Sequence, residues 1–184
     1  MDRNLGASQV ATSSDDEDAY GDLYQWGRFA DGHQCRNSST TTTLSSGDQP
    51  GHGDFILSLT GPMDWRDPQE SNLWQGVNGV NNPCPDGFRL PTDSELNEER
   101  LSWVDPQINS SNNAAGAFAS PLKMPMAGNR SPTNGSVIIN SGLYWSSTFS
   151  GTVSRRLLFF EIDENASMNI SERARGFSVR CIKD

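Results

Sequence analysis

A chain of 184 residues with 34% hydrophobic residues is sized for one domain, though its core must be lean for that length. Its formal charge of −9 leaves no excess of Lys and Arg to neutralise phosphates, which argues against nucleic acid as a partner. No apolar run approaches the length needed to cross a bilayer, and "MDRNLGASQV" shows no signal peptide.

In chain order, "ATSSDDEDA" (11–19) is a polar acidic segment. Asp15, Asp16, Glu17 and Asp18 lack the alternating spacing of a calcium loop, so a solvated loop is expected. "YGDLYQWGR" carries Tyr20, Tyr24 and Trp26, enough to anchor a core element. Residues 29–54 read as a long loop, and Trp65 and Trp74 beyond it suggest that this loop packs on something. His33, Cys35 and His52 fall in Gly-rich stretches; plain loop residues are the favoured reading over metal ligands, and no metal or other cofactor is expected.

"NPCPDGFRLPTDSEL" is the clearest local signal. "GFRL" reads as a short strand, and Thr92 with Glu95 forms a capping box opening a helix from about Asp93 to Leu101 that buries Leu96 and Leu101. Residues 105–135 return to loop, with "KMPMAGNR" a strand-like insert. "SVIINSGLYWSST", "SRRLLFFEI" and "RGFSVRCIK" then read as strands. The tally is an α+β domain with antiparallel pairing, one or two helices and much loop.

Catalytic chemistry finds little support. There is no nucleophile elbow, P-loop or dinucleotide fingerprint, and neither histidine sits near a nucleophile. Glu161, Asp163 and Glu164 could offer a carboxylate pair, but acidic loop tips are more often simply solvated. Surface recognition fares better. Residues two apart on a strand share a face, so Leu157 and Phe159 lie on one side and Arg156, Leu158 and Phe160 on the other. Either the strand is buried on both faces, or the second face is an apolar and basic binding strip. Residues 161–175 show little periodicity, as a recognition loop would.

Together "AYGDLYQWGR", "DGHQCR", "LWQGVNGVNNPCPDGFRLPTDSEL", "ASPLKMPMAGNR", "GLYWSST" and "GFSVRC" resemble the Fibrobacter succinogenes major paralogous domain over essentially the whole chain, 1–184. That family is similar to C-type lectins and to formylglycine-generating enzymes. The resemblance implies a C-type-lectin-like fold with two antiparallel sheets, flanking helices and long ordered loops. It also implies a disulfide between Cys84 and Cys181, leaving Cys35 unpaired. The calcium and sugar triplets of true C-type lectins are missing, and so is the catalytic cysteine pair of the enzymes, so neither activity carries over.

Within that group the tail most resembles the variable proteins of diversity-generating retroelements, whose last strands and loops are rewritten at adenines, mostly in AAC codons. Changing both adenines cannot give Glu, Gln, Lys, Met or Trp. Phe149, Val153, Arg156, Leu158, Phe160, Ile162, Asp163, Ser167, Asn169, Ile170, Ser171 and Arg175 all satisfy that rule. Glu172 does not and would be fixed or derive from a Lys-type codon; it joins the other twelve as a ligand-contact candidate. Tyr144, Trp145 and Phe177 would be scaffold. The resemblance thus implies a non-enzymatic binding protein whose segment 144–181 meets a protein or cell-surface ligand, outside the cell, on a cell surface or on a virion. The rivals are a non-diversified carbohydrate-binding adhesin and, less favoured, an enzyme of the formylglycine-generating type.

Overall fold

The computed structural model describes residues 1–104, 113–160 and 166–184. Two α-helices and eleven short strands alternate along it: β1 (Tyr24–Gln25), β2 (Thr40–Thr41), β3 (Phe55–Ile56), β4 (Phe88–Arg89), α1 (Asp93–Leu101), α2 (Ala114–Ala119), β5 (Asn129–Arg130), β6 (Val137–Ile138), β7 (Gly142–Ser150), β8 (Val153–Phe159), β9 (Ser167–Ser171), β10 (Gly176–Phe177) and β11 (Ile182–Lys183). The mixed α/β class expected from the sequence is what forms, with four small sheets among the described residues. A four-stranded sheet runs β1-β10-β5-β6, a three-stranded one β7-β8-β9, and β11-β4 and β2-β3 are pairs. All pair antiparallel except β2 with β3.

The β7-β8-β9 sheet organises the carboxy-terminal half. Its register sets Tyr144 opposite Leu157 and Gly142 opposite Phe159, and these side chains face α1 and α2. Leu157 and Phe159 are fully buried there, Phe159 stacked on Tyr144 and edge-on to Trp103. Gly142 is required at its place: a Cβ would meet the Phe159 ring at 2.0 Å. On the reverse face Leu143 and Trp145 join Tyr24, Trp26, Trp74 and Phe177 in a second core. Ser178, directly after β10, ties that segment to β7, its carbonyl accepting from Trp145 N and its amide donating to Leu143 O, both at 3.0 Å.

α1 keeps the bounds read from its cap. Thr92 Oγ1 accepts from Glu95 N while Glu95 Oε2 accepts from Thr92 N at 2.7 Å, so each satisfies a donor the helix leaves free. Arg89 grips the same Glu95 carboxylate at 2.7 Å and, with Thr92, holds its pKa down to about 2. Thr92→Ala should therefore lower stability by about 1 kcal/mol in urea unfolding, whereas Thr92→Ser should lose little. Leu101 departs from expectation: it is 59% exposed, because the helix turns only Leu96 inward before Ser102 caps it.

Two further expectations change. The stretch 105–135, expected to be loop, contains α2, six residues capped by Asn113 accepting from Gly116 N. Residues 167–171 are a strand, because β8 offers a full edge to pair with.

Regular structure is scarce between β1 and α1, and polar side chains bind the chain there instead. Trp26 Nε1 donates to Ser146 O, Trp65 Nε1 to Trp26 O, Trp74 Nε1 to Asn81 O and Trp145 Nε1 to Tyr24 O, at 2.7–2.9 Å. Arginines do the same. Arg28 holds the carbonyls of His52 and Asp54, Arg36 those of Gly21 and Ala127, and Arg130 those of Cys35, Ser38 and Gly135. Buried carbonyls need donors, and a guanidinium brings several to one point.

Cys84 and Cys181 are joined by a disulfide that fastens the segment before β4 to the one before β11; Cys35 is a free, exposed thiol. No helix among the described residues is long and apolar enough to cross a membrane.

Candidate functional site

The open part of the β7-β8-β9 sheet lies on the face opposite α1. Directly opposed residues share a face, so Leu143, Trp145, Arg156, Leu158, Ser167 and Asn169 point to one side. Over β7 that side is closed by Phe177 and its neighbours; over β8 and β9 it is open. A cleft of about 370 Å³ results. Leu143 and Phe177 line it from the scaffold, and Arg156, Leu158, Phe160, Ile170, Ser171, Glu172 and Arg175 line it from the candidate set.

The structure thus gathers seven of the thirteen candidates. Arg156, Leu158 and Phe160 are half-buried, in contrast to the sealed Leu157 and Phe159 between them. Leu158 does double duty, since it packs on the second core while lining the cleft. Ser167 and Asn169 share the cleft's face of β9, with Asn169 exposed. Ser171 lines the cleft but is itself buried.

Other candidates lie apart from the cleft or at its edge. Val153 is opposite Ser150 on the helix-facing parity of β8, and Phe149 lies at the far end of the hairpin, 42% exposed. Neither lines the cleft. Ile170 pairs with Arg155, whose side chain reaches Asp93 on α1 at 3.0 Å, so register sets Ile170 with the helix side although it borders the cleft at the sheet's edge. Ile162 and Asp163, with Glu161 and Glu164, lie outside the described residues.

Charge in the cleft is unevenly partnered. Glu172 Oε2 accepts from Arg175 Nε at 2.8 Å. Burial would raise the Glu172 carboxyl, but the Arg175 contact and its other hydrogen bonds together hold it below its ordinary value. Arg156 lies with its guanidinium 5.5 Å from the Phe177 ring centroid. Its Nε and Nη1 are buried and find no acceptor among the described residues. Burial, then repulsion from Arg175, pushes its pKa down to about 10, Glu172 offsetting part, so it stays charged at neutral pH.

Residues 171–175 are not all surface. Arg173 and Ala174 are buried within the stretch expected to be a recognition loop. Arg173 crosses under the hairpin to donate to Gly151 O at 3.1 Å, Glu70 O at 3.2 Å and Ser71 Oγ at 2.9 Å, with Asp64 3.7 Å away and the Trp26 ring 4.6 Å below. Sequence reasoning missed it because Arg173 and Arg175 look alike until their partners, about 100 residues upstream, are in place.

Both histidines take part in local hydrogen bonds. His33 is buried, accepts from Gln25 N at Nε2 (3.1 Å) and meets Asp31 at Nδ1 (2.7 Å), which fixes the Nδ1–H tautomer. Among the described residues no three His, Cys, Asp or Glu side chains cluster as metal ligands. Burial pushes His33 down to about 4, with Asp31 offsetting part. Its folded pKa is depressed, so below about 6.5 the unfolded chain binds a proton that the fold refuses. Stability should fall as pH drops from about 6.5 towards 4, and this slope should flatten in His33→Gln, measured by urea unfolding at each pH. The acidic stretch is likewise internally engaged: Asp16 accepts from Thr12 N and Gln9 Nε2 and caps the turn Glu17–Ala19.

A second cavity, about 450 Å³, lies between α1 and β11 and holds none of the candidates. Its walls are committed to the fold: the Met1 amino group donates to Cys181 O, and Arg180 donates to Leu122 O. Comparison of the chain with protein-family models, with curated proteins and with solved structures finds no match in any of the three.

Proposed function

We propose that this chain is a recognition domain on a C-type-lectin-like scaffold, whose carboxy-terminal surface is diversified by a retroelement and binds a protein or another surface-displayed ligand. One observation carries the reading. Along a single strand, alternate residues divide into sealed core (Leu157, Phe159) and cleft wall (Arg156, Leu158, Phe160). Substitution on one parity remodels a ligand surface while the other parity holds the sheet. The site is framed mainly by paired strands and not by a free loop, which lets exchanged side chains be presented on a constant backbone. The mixture of Leu, Phe, Arg and Glu suits a protein surface, where aromatic and Arg side chains supply most of the affinity. The disulfide fits an oxidising location such as a cell or virion surface.

The test is genetic. Sequencing around the coding region should reveal a near-copy of the segment for residues 144–181 that differs only at adenines, beside a reverse-transcriptase gene. A tail with no such copy overturns the diversification. Across copies from related isolates, codons 156, 158 and 160 should vary while 157 and 159 do not.

A further inference from the structure

Among the described residues the cleft is lined by two cations and one carboxylate, and that carboxylate accepts from Arg175. Among the described residues Glu172 offsets the Arg156 charge only in part. The Arg156 Nε and Nη1 are buried and have no acceptor among the described residues. Buried donors, and charged ones above all, are normally paired. Resting on the reading of this cleft as the recognition site, we propose that the partner is a protein segment that inserts an Asp or Glu carboxylate against Arg156, with apolar side chains beside it.

Each feature of the cleft narrows the class. An anion in the cleft answers its excess of positive charge, and N–H donors on a guanidinium bind carboxylate more strongly than a neutral carbonyl. Glu172 faces the same space and repels a dianion more than a monoanion, which favours carboxylate over phosphate. Leu143, Leu158, Phe160 and Phe177 give the cleft an apolar share of wall beside the polar Asn129, Ser141 and Ser171, so apolar side chains flanking the carboxylate have surface to meet. Along the cleft's edge, Asn169 and Ile170 (52% exposed) extend the contact surface. A small carboxylic acid would leave that surface bare, while a chain segment covers it.

The experiment follows the Arg156 Nε–H resonance in the 15N-labelled protein, assigned by its loss in Arg156→Lys. Three probes are titrated: acetyl-Leu-Glu-Leu-amide, its Gln counterpart and inorganic phosphate. The expected result is a saturable shift with the Glu peptide, and at least tenfold weaker response to the Gln peptide and to phosphate. An equal response to the Gln peptide overturns the carboxylate assignment while leaving the cleft a recognition site. An equal response to phosphate overturns the choice of carboxylate, and no response to either peptide overturns the proposal entirely. The adenine-repeat test stands apart from all of these, so the two readings fail separately.

Discussion

Arg173→Ala should lower the free energy of unfolding by about 3–5 kcal/mol, measured in guanidinium chloride. The side chain is 1% exposed and binds three separate segments: the β7–β8 turn at Gly151, the 64–71 stretch, and the ring of Trp26. Removing it strands Asp64, whose side chain is 4% exposed and keeps only Gln69 as a side-chain donor at 2.9 Å. Burial already raises the Asp64 carboxyl above its ordinary range, against the pull of Gln69 and Arg173. Without the cation that rise grows, and a carboxyl raised in the fold favours the folded state at low pH and opposes it at high pH. The variant should therefore be impaired less near about pH 4 than at about pH 7. Equal impairment at both would show that lost carbonyl contacts, and not the stranded acid, cause the damage.

Loss of the Cys84–Cys181 bridge is the second large effect. It spans 97 residues of sequence, and a loop of that size loses enough unfolded-state entropy to contribute about 4–5 kcal/mol. Cys84→Ser with Cys181→Ser should lower the melting temperature by about 10–15 °C for a chain of this length. Cys35→Ser is the control: the thiol is exposed and should matter by less than about 0.5 kcal/mol. If the double variant melts within a few degrees of the parent, packing of the carboxy-terminal core, and not the covalent link, holds β11 to β4.

What could be read from the chain was whatever its neighbours decide. The capping box at Thr92 and Glu95 is a three-residue affair, and α1 starts and stops where it implied. The period-two pattern of β8 separated core from cleft parity, because side-chain direction on a strand follows from the backbone alone. Other features depended on remote partners. Leu101 was expected inside, but it stays 59% exposed at the last helical turn. Ser167–Ser171 had no alternation of its own and became a strand because β8 offered an edge. Candidates chosen by codon arithmetic were scattered for a related reason. The arithmetic knows nothing of faces, so it took in Val153 and Ile170 of the helix-facing parity along with Arg156 and Leu158.

The indole and guanidinium contacts that replace regular structure have a consequence for time. Trp26 reaches Ser146 across 120 residues, Trp145 reaches Tyr24 across 121, and Gln25 reaches Ala174 across 149. None of these can form until the two halves of the chain have met, and closing such distances costs entropy before it is recovered. Folding should be slow, in the millisecond-to-second range, and the loops between β1 and α1 should open only with the whole domain. Amide hydrogens in stretches without a helix or long strand, such as Trp26 and Asn81, should then exchange as slowly as those of β8. A cleft framed this way would keep one shape for as long as the domain stays folded.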